Sequence, residues 1–223
     1  CLLCSFFRSG GILSDQPKIT VEYLALPNKI GARGGVTRFF FLAHGIDADW
    51  KLYETSEEWP KRKAELLKTG ANPCGSVPIV FYGDDDTLVQ HISTLRFIAS
   101  DLGIGSPDKR GNYAQDVVAD EYNGLRDAWV AAAFMGADKD TFVALAKDKL
   151  KAFDGLYAKY GSHDTYISAS KDGKPLWGDA ALFGLTRDMI LTGHLSKDDL
   201  PPRVLKMYDA FAAIPAVNDW INE

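Results

Sequence analysis

Gln90 and His91 stand at the predicted start of a helix, where they could hold one end of a small charged ligand. The first turn of a helix has free backbone N–H groups, and its dipole attracts a carboxylate. Gln90 adds both a hydrogen-bond donor and an acceptor, which suits an amino-acid end group. A polar helix cap that binds nothing is the plainer explanation of the same pair.

Pro78 begins a predicted strand within the segment Ser-Val-Pro-Ile-Val. Proline cannot donate a hydrogen bond to a sheet, so it belongs at a sheet edge or at a strand start. If the Val77–Pro78 bond is cis, the N–H and C=O of Val77 can pair with an extended peptide as an added strand. The local sequence alone favours an ordinary trans bond, because cis bonds are rare even before proline.

Trp59, Lys63 and Arg33 could contact anions. Trp59 and Lys63 are four residues apart, so on a helix the indole N–H and the ammonium share one face and could hold one carboxylate. Taken alone, their spacing is better explained by a solvated amphipathic turn. Arg33 follows a predicted strand within a glycine-rich turn, which is a position for anion contact.

The composition and charge of the chain limit which partners, and which redox or metal sites, we expect. The chain has 223 residues, is 46% hydrophobic and carries a net charge of −5, which argues against a nucleic-acid or anionic-membrane partner. No apolar run is long enough for a membrane span. Cys1 and Cys4 have CxxC spacing but precede the first strand, so we expect no redox or metal role for them. The histidines show no metal-ligand spacing, and we expect no metal.

The periodicity of the chain changes near residues 104–111, a turn-rich linker. Residues 19–103 predict strands and helices in the order β-α-β-α-β-β-α, which favours a mixed sheet with helices on its faces. Residues 112–223 predict helices only, at 113–135, 140–160, 179–191 and 202–211. We therefore predict an α+β protein of two domains, an α/β domain followed by an all-α domain, preceded by an irregular tail at residues 1–18.

Four segments carry a resemblance to a known family. Residues 72–80, Asn-Pro-Cys-Gly-Ser-Val-Pro-Ile-Val, resemble the Asn-Pro-x-Gly-x-Val-Pro segment of the cytosolic glutathione transferases. Residues 90–99 are similar to that family's Gln-Ser-x-Ala-Ile-x-Arg-Tyr-Leu-Ala helix. Residues 59–63, Trp-Pro-Lys-Arg-Lys, resemble the Trp-Pro-x-x-Lys element of its sigma-like and fungal members, and residues 178–183 are similar to its Ala-Asp-x-Ala-Leu-Phe helix start.

The resemblance implies a thioredoxin-like domain at residues 19–103, an all-α domain at 112–223, and a cytoplasmic homodimer. It implies an enzyme that conjugates the thiolate of glutathione, as co-substrate, to a small hydrophobic electrophile. A glutathione-dependent isomerase and a non-catalytic binding or structural protein are the alternatives.

By the same resemblance, Val77 before a cis Pro78 would bind the cysteinyl backbone of glutathione. Gln90 and His91 would bind its γ-glutamyl end.

Trp59 and Lys63 would bind the glycine carboxylate of glutathione. Asp116 would reach the γ-glutamyl amine of the glutathione in the partner subunit. Tyr122 and Trp129 would form aromatic walls of the electrophile pocket.

The sequence departs from the family where the thiol is activated. The family places a Tyr, Ser or Cys near the end of the first strand, and here Tyr23 lies about four residues too far upstream of Arg33. Tyr23 could still be the activator if the loop bulges. Asn28, Lys29, Arg33 or a backbone N–H of the loop could serve instead, or the chain could bind glutathione and catalyse nothing.

His91 stands where the family has serine. A protonated imidazole donates a hydrogen bond with charge, so we expect glutathione affinity to weaken as the pH rises through the pKa of His91.

Overall fold

The structure, a computed structural model, describes residues 17–223, and its N-terminal half is built on a four-stranded sheet. The spatial order is β2-β1-β3-β4, with β1 parallel to β2 and antiparallel to β3, and β3 antiparallel to β4. The strands are β1 (Ile19–Leu24), β2 (Asp49–Tyr53), β3 (Ile79–Tyr82) and β4 (Asp86–Val89). Cys1 and Cys4 of the predicted tail lie outside the described residues.

Three helices cover this sheet: α1 (Ala32–His44), α2 (Glu58–Thr69) and α3 (His91–Asp101). Helix α1 makes the crossover between the parallel strands β1 and β2. It is buried on nearly every side, and Phe39, Phe40 and Phe41 are all at most 2% exposed. A helix that is buried over most of its surface lies between two layers, which explains the three consecutive phenylalanines.

The C-terminal half is helical. Its long helix α4 packs against both α5 and α6, and α6 also packs against α1, so one hydrophobic core spans both halves. The helices are α4 (Lys109–Phe134), α5 (Lys139–Tyr160), α6 (Trp177–Leu191), α7 (Pro202–Ala212) and α8 (Pro215–Asn222). Among the described residues, no helix is both long and apolar enough to cross a membrane.

The sequence predicts the first strand at residues 19–26 and the first helix at residues 36–44, and both boundaries differ in the structure. The first strand ends at Leu24, and helix α1 begins at Ala32 and includes Gly34. A glycine is required there because a Cβ on Gly34 would lie 2.3 Å from the Tyr23 ring. Helix α8 was not predicted at all, although it begins with Pro215, a favourable first residue for a helix.

Candidate functional site

Four of the predicted site residues line one pocket with a volume of 260 Å³. We call it the Arg33 pocket, and it is lined by Arg33, Ser76, Val77, Gln90 and His91. Ser76 was not singled out from the sequence. The pocket brings together the loop before β3, the N-terminus of α3 and the first turn of α1, which are far apart in the chain.

The loop before β3 ends in a cis Val77–Pro78 bond, as the resemblance implies. The sheet register of β3 begins at Ile79, so Val77 lies just beyond the ladder. The buried side chain of Asn72 holds this loop: its Nδ2 donates to the Ser76 carbonyl at 2.7 Å, and its Oδ1 accepts from two N–H groups of the loop. The Val77 edge is therefore held in place by Asn72, an effect that the Asn-Pro dipeptide only suggests.

The N-terminus of α3 faces this edge across the pocket. Gln90 precedes the helix with a φ of 69°, and its side chain is exposed and makes no capping hydrogen bond. A φ in this range is unusual for a residue other than glycine and often occurs at ligand sites. The first N–H groups of a helix lack partners within the helix, so this end of the pocket suits an anion.

His91 is buried, at 5% exposure, and its Nε2 has no hydrogen-bond partner among the described residues. Its ring packs edge-on against Tyr122 at a centroid distance of 5.7 Å. Burial, together with the charges of Arg33 and Arg126, lowers the pKa of His91 to about 3. The imidazole of the free protein is therefore neutral at ordinary pH, which argues against a loss of glutathione affinity through deprotonation of His91 near neutral pH.

Arg33 contributes the positive charge of the pocket. Its guanidinium pairs with Asp127 of α4 in a partly exposed ion pair. The turn that carries Arg33 is held by Asp188 of α6, whose two carboxylate oxygens accept the Gly31 N–H at 3.0 Å and the Ala32 N–H at 2.8 Å. Those two backbone groups are thus occupied and are not available as thiol donors in this conformation.

Asp188 is itself held by a buried cation. Arg126 of α4 donates to Asp188 Oδ2 at 2.6 Å, and both side chains are completely buried. Arg126 also donates to the Tyr122 hydroxyl at 3.2 Å, while its Nη2 has no partner among the described residues. This network joins the all-α half to the turn before α1, and sequence reasoning missed it because the ion-pair partners are 62 residues apart.

Tyr23 is not among the residues that line the Arg33 pocket. It lines a separate pocket on the side of β2, where its ring packs on Gly34. Burial raises the pKa of Tyr23 to about 12, so its hydroxyl is protonated at ordinary pH. Tyr23 is therefore not part of the lining of the Arg33 pocket, although its hydroxyl is close enough to Arg126 and Tyr122 for both to act on its pKa.

Trp59 and Lys63 lie on α2, beside the loop before β3 but not in the lining of the Arg33 pocket. Lys63 lies close over Gly75: its Cε is 2.9 Å from the position that a Cβ on Gly75 would occupy. Trp59 is half-buried and packs near Tyr53, with ring centroids 6.4 Å apart.

Between Trp59 and Lys63, Arg62 pairs through its Nε with the buried carboxylate of Glu22 on β1 at 2.9 Å. The Tyr53 hydroxyl donates to the same carboxylate. These contacts fix α2 against the sheet.

Three further predicted residues lie away from the pocket lining. Asp116 accepts from the Trp177 indole at 2.8 Å and pairs with Arg96. Tyr122 and Trp129 are completely buried, so they cannot be the walls of an open electrophile pocket. Their burial follows from the position of α4 between α5 and α6. No group of three or more His, Cys, Asp or Glu side chains in the described part of the chain is arranged to hold a metal.

Comparisons with known proteins agree with the architecture. No family model and no curated protein sequence matches the chain. A glutathione S-transferase of Caenorhabditis elegans is similar in structure, with a TM-score of 0.75, 14% identity, and 93% of this chain and 98% of that one covered. The Pi-class glutathione S-transferase of Onchocerca volvulus gives a TM-score of 0.75 at 19% identity, with 92% of each chain covered.

Rat hPGDS, solved in complex with a quinoline, gives a TM-score of 0.65 at 19% identity, with 92% of this chain and 96% of that one covered. These similarities confirm the predicted fold class, a thioredoxin-like α/β region followed by a helical domain. The chain therefore has the fold of the glutathione S-transferases.

Proposed function

We propose that this chain is a glutathione transferase that binds glutathione in the Arg33 pocket and joins its thiolate to a small hydrophobic electrophile. The observation that carries the proposal is the meeting of three kinds of group in one pocket: a strand edge at Val77, a helix N-terminus at Gln90 and the guanidinium of Arg33. An extended tripeptide with carboxylate ends needs these groups. The fold supports the proposal, since solved structures that share it are glutathione S-transferases.

In this proposal the tripeptide lies along the pocket as an added strand. Val77 pairs with the cysteinyl backbone, because it stands just beyond the sheet ladder. The γ-glutamyl carboxylate lies over the first turn of α3, near Gln90 and within the field of Arg33. His91 stays neutral and offers its unpartnered Nε2 as donor or acceptor, according to its tautomer.

The glycine end of glutathione would leave the pocket toward α2. Lys63 lies over Gly75 in the loop that leads to Val77, which supports the proposal that its ammonium meets the glycine carboxylate. Trp59, one turn earlier on the same helix, would add its indole N–H. Arg62 is already engaged by Glu22 and takes no part.

Arg33 is the group that we propose to stabilise the thiolate. Of the alternatives left open by the sequence, Tyr23 and Lys29 line another pocket, and the Gly31 and Ala32 N–H groups already donate to Asp188. Arg33 lines the proposed binding pocket, and the thiolate would share its guanidinium with Asp127 of the partly exposed ion pair. A guanidinium close to sulfur lowers the thiol pKa by favouring its charged form. The thiolate then forms a carbon–sulfur bond with the electrophile, the leaving group departs with its electron pair, and the thiol proton passes to solvent.

Two alternative functions keep support from specific observations. In an isomerase the thiolate adds to the substrate and later departs, and the structural likeness to rat hPGDS favours this possibility. In a non-catalytic glutathione-binding protein no thiol activator is needed, and the absence of Tyr23 from the lining of the Arg33 pocket favours that one.

We further propose a cytoplasmic homodimer, as the resemblance implies. Phe97 of α3 is 43% exposed and would suit a subunit interface. Asp116 pairs with Arg96 and Trp177 within one chain, so it would have to exchange a partner to reach the glutathione of the other subunit.

The test compares Arg33→Met with Arg203→Met, since each arginine forms a partly exposed ion pair with an aspartate. We expect calorimetry to show glutathione binding to the wild type, and thiolate absorbance of the bound tripeptide to be present near neutral pH. Arg33→Met should lose the thiolate absorbance and most turnover of an aromatic chloride, whereas Arg203→Met should keep both. Tyr23→Phe should also keep turnover.

The outcomes separate the three functions. Absence of glutathione binding to the wild type would refute the proposal as a whole. Binding without thiolate absorbance or turnover would favour the non-catalytic protein. Loss of turnover in Tyr23→Phe with unchanged binding would assign the thiol to Tyr23 and remove Arg33 from that role.

A further inference from the structure

A second pocket, with a volume of 270 Å³, lies on the side of β2 and α8. We call it the Arg38 pocket. Its walls come from the end of β1, the loop before α1, helix α1, strand β2 and helix α8, and most of the lining is apolar or glycine. The lining includes Tyr23, Lys29, Arg38, Trp50, Leu52 and Trp220.

The Arg38 pocket is separate from the Arg33 pocket. The two share no lining residue. The lining of the Arg38 pocket includes neither Val77 nor the N-terminus of α3, the two groups that the Arg33 pocket offers to a peptide. A ligand of different chemistry is therefore expected in it.

Arg38 of α1 is the unusual group in this pocket. Its guanidinium carbon lies 3.7 Å from the ring centroid of Trp50 and 5.4 Å from that of Trp220. Arg38 is half-buried, and no residue that the structure describes forms a hydrogen bond or an ion pair with its side chain. Burial lowers the pKa of Arg38, which is the sign of a cation that lacks solvent without gaining an anion.

A stacked guanidinium has its five N–H donors in its own plane. Because the Trp50 ring lies over the guanidinium at 3.7 Å, the edge of Arg38 remains available for a carboxylate, and that pairing is bidentate where geometry allows. Lys29 adds a second positive charge to the lining, and its Nζ donates to the Trp220 carbonyl at 3.1 Å. The pocket thus combines an apolar body with a cation that has no partner.

We propose that the Arg38 pocket binds a small planar carboxylate, such as an aromatic acid, independently of glutathione. The carboxylate pairs with the edge of Arg38, and the apolar ring lies against Leu24, Leu26 and Ile30. The volume is near the lower end of ligand pockets, which span about 300–1,000 Å³, so the ligand is limited to one or two fused rings. This inference does not depend on the proposed transferase activity.

Arg38 could instead have only a structural role, stabilising the packing of α8 against α1 through its contact with Trp220. The two roles differ in one measurable respect. A purely structural role predicts that apolar ligands bind in the Arg38 pocket equally well with or without a negative charge. A carboxylate site predicts a preference for the charged ligand that disappears when the charge of Arg38 is removed.

The experiment titrates naphthalene-2-carboxylate and the neutral naphthalene-2-methanol into the full chain. Tryptophan fluorescence reports binding, because Trp50 and Trp220 line the pocket. We expect the carboxylate to bind at least about tenfold more tightly than the alcohol, which is the worth of one charge-assisted pairing. Arg38→Met should lose this preference, and Arg110→Met, at an exposed position on α4, should keep it.

Leu52→Glu is the second variant, because Leu52 is 48% exposed and its replacement should not prevent folding. The added negative charge should weaken carboxylate binding and leave alcohol binding nearly unchanged. Equal affinities of the two compounds for the wild type, no binding of either, or a preference that survives in Arg38→Met would overturn the inference. Competition by saturating glutathione would also overturn it, since the carboxylate would then lie in the Arg33 pocket.

Discussion

Replacing Asp188 with asparagine should strongly destabilise the protein. The Asp188 carboxylate accepts three hydrogen bonds in a fully buried position, from Gly31, Ala32 and Arg126. An amide at this position keeps one acceptor oxygen and turns an NH₂ group toward a donor, so at least one buried donor loses its partner. Such a loss costs about 1–3 kcal/mol.

The larger effect of Asp188→Asn is on Arg126. Its guanidinium is completely buried, so without the carboxylate it becomes an uncompensated charge in the core. Removing one partner of a buried ion pair costs about 3–5 kcal/mol. For a chain of this size that corresponds to a fall of roughly 6–20 °C in the midpoint of thermal unfolding.

Urea unfolding followed by circular dichroism measures this change, with Asp127→Asn as the matched control. Asp127 pairs with Arg33 but is 69% exposed, so its replacement should cost less than about 1 kcal/mol. A cost for Asp188→Asn as small as that of the control would refute the assignment of a buried ion pair. Combining it with Arg126→Met in a double-mutant cycle should recover part of the loss, because the uncompensated charge is then gone.

Two further predictions concern histidine titration and packing. Burial is the main cause that lowers the pKa of His44 to about 4 and of His91 to about 3, below the value near 6.5 in the unfolded chain. Between about pH 6.5 and pH 4 the unfolded chain therefore binds more protons than the folded one. The free energy of unfolding should fall as the pH drops through this range. Each histidine should lower the free energy of unfolding by about 2 kcal/mol between pH 7 and pH 5. The urea midpoints measured at pH 7 and at pH 5 should differ less in His91→Gln than in the wild type. An unchanged difference would argue against a buried neutral ring. Gly34→Ala should cost about 1–3 kcal/mol, because the new Cβ would lie 2.3 Å from Tyr23. Gly155→Ala, on a helix with open space around it, should instead stabilise by about 0.5–1 kcal/mol, and equal effects of the two replacements would contradict the close contact.

Local sequence patterns were sufficient for much of the fold. The β-branched run from Ile19 predicts β1, and the apolar spacing of three and four residues predicts α4, α5, α6 and α7, because these signals depend on near neighbours in the chain. Helix α8 was missed, since its eight residues hold too few turns for a clear period. The first helix was predicted to begin at residue 36, after its true start at Ala32, because Gly34 and Gly35 are poor helix formers. Only the neighbouring Tyr23 ring explains Gly34.

The candidate site, like the fold, could be predicted only in part from the sequence. The types and spacing of Val77, Gln90, His91 and Arg33 pointed to a ligand with charged ends, and the structure places all four around one pocket. The protonation state of His91 could not be predicted, because its pKa depends on burial and on Arg126, which is distant in the chain.

The sequence by itself determined the order of the elements up to α7, the fold class and the polar groups available for binding. Those properties are local, since hydrophobic period, turn residues and side-chain chemistry act over a few positions. Only the tertiary structure decided that Tyr23 and Arg33 line different pockets, that Tyr122 and Trp129 are core residues, and that Asp188 fixes the turn before α1. Those outcomes depend on which helices pack together, and packing joins residues that have no relation along the chain.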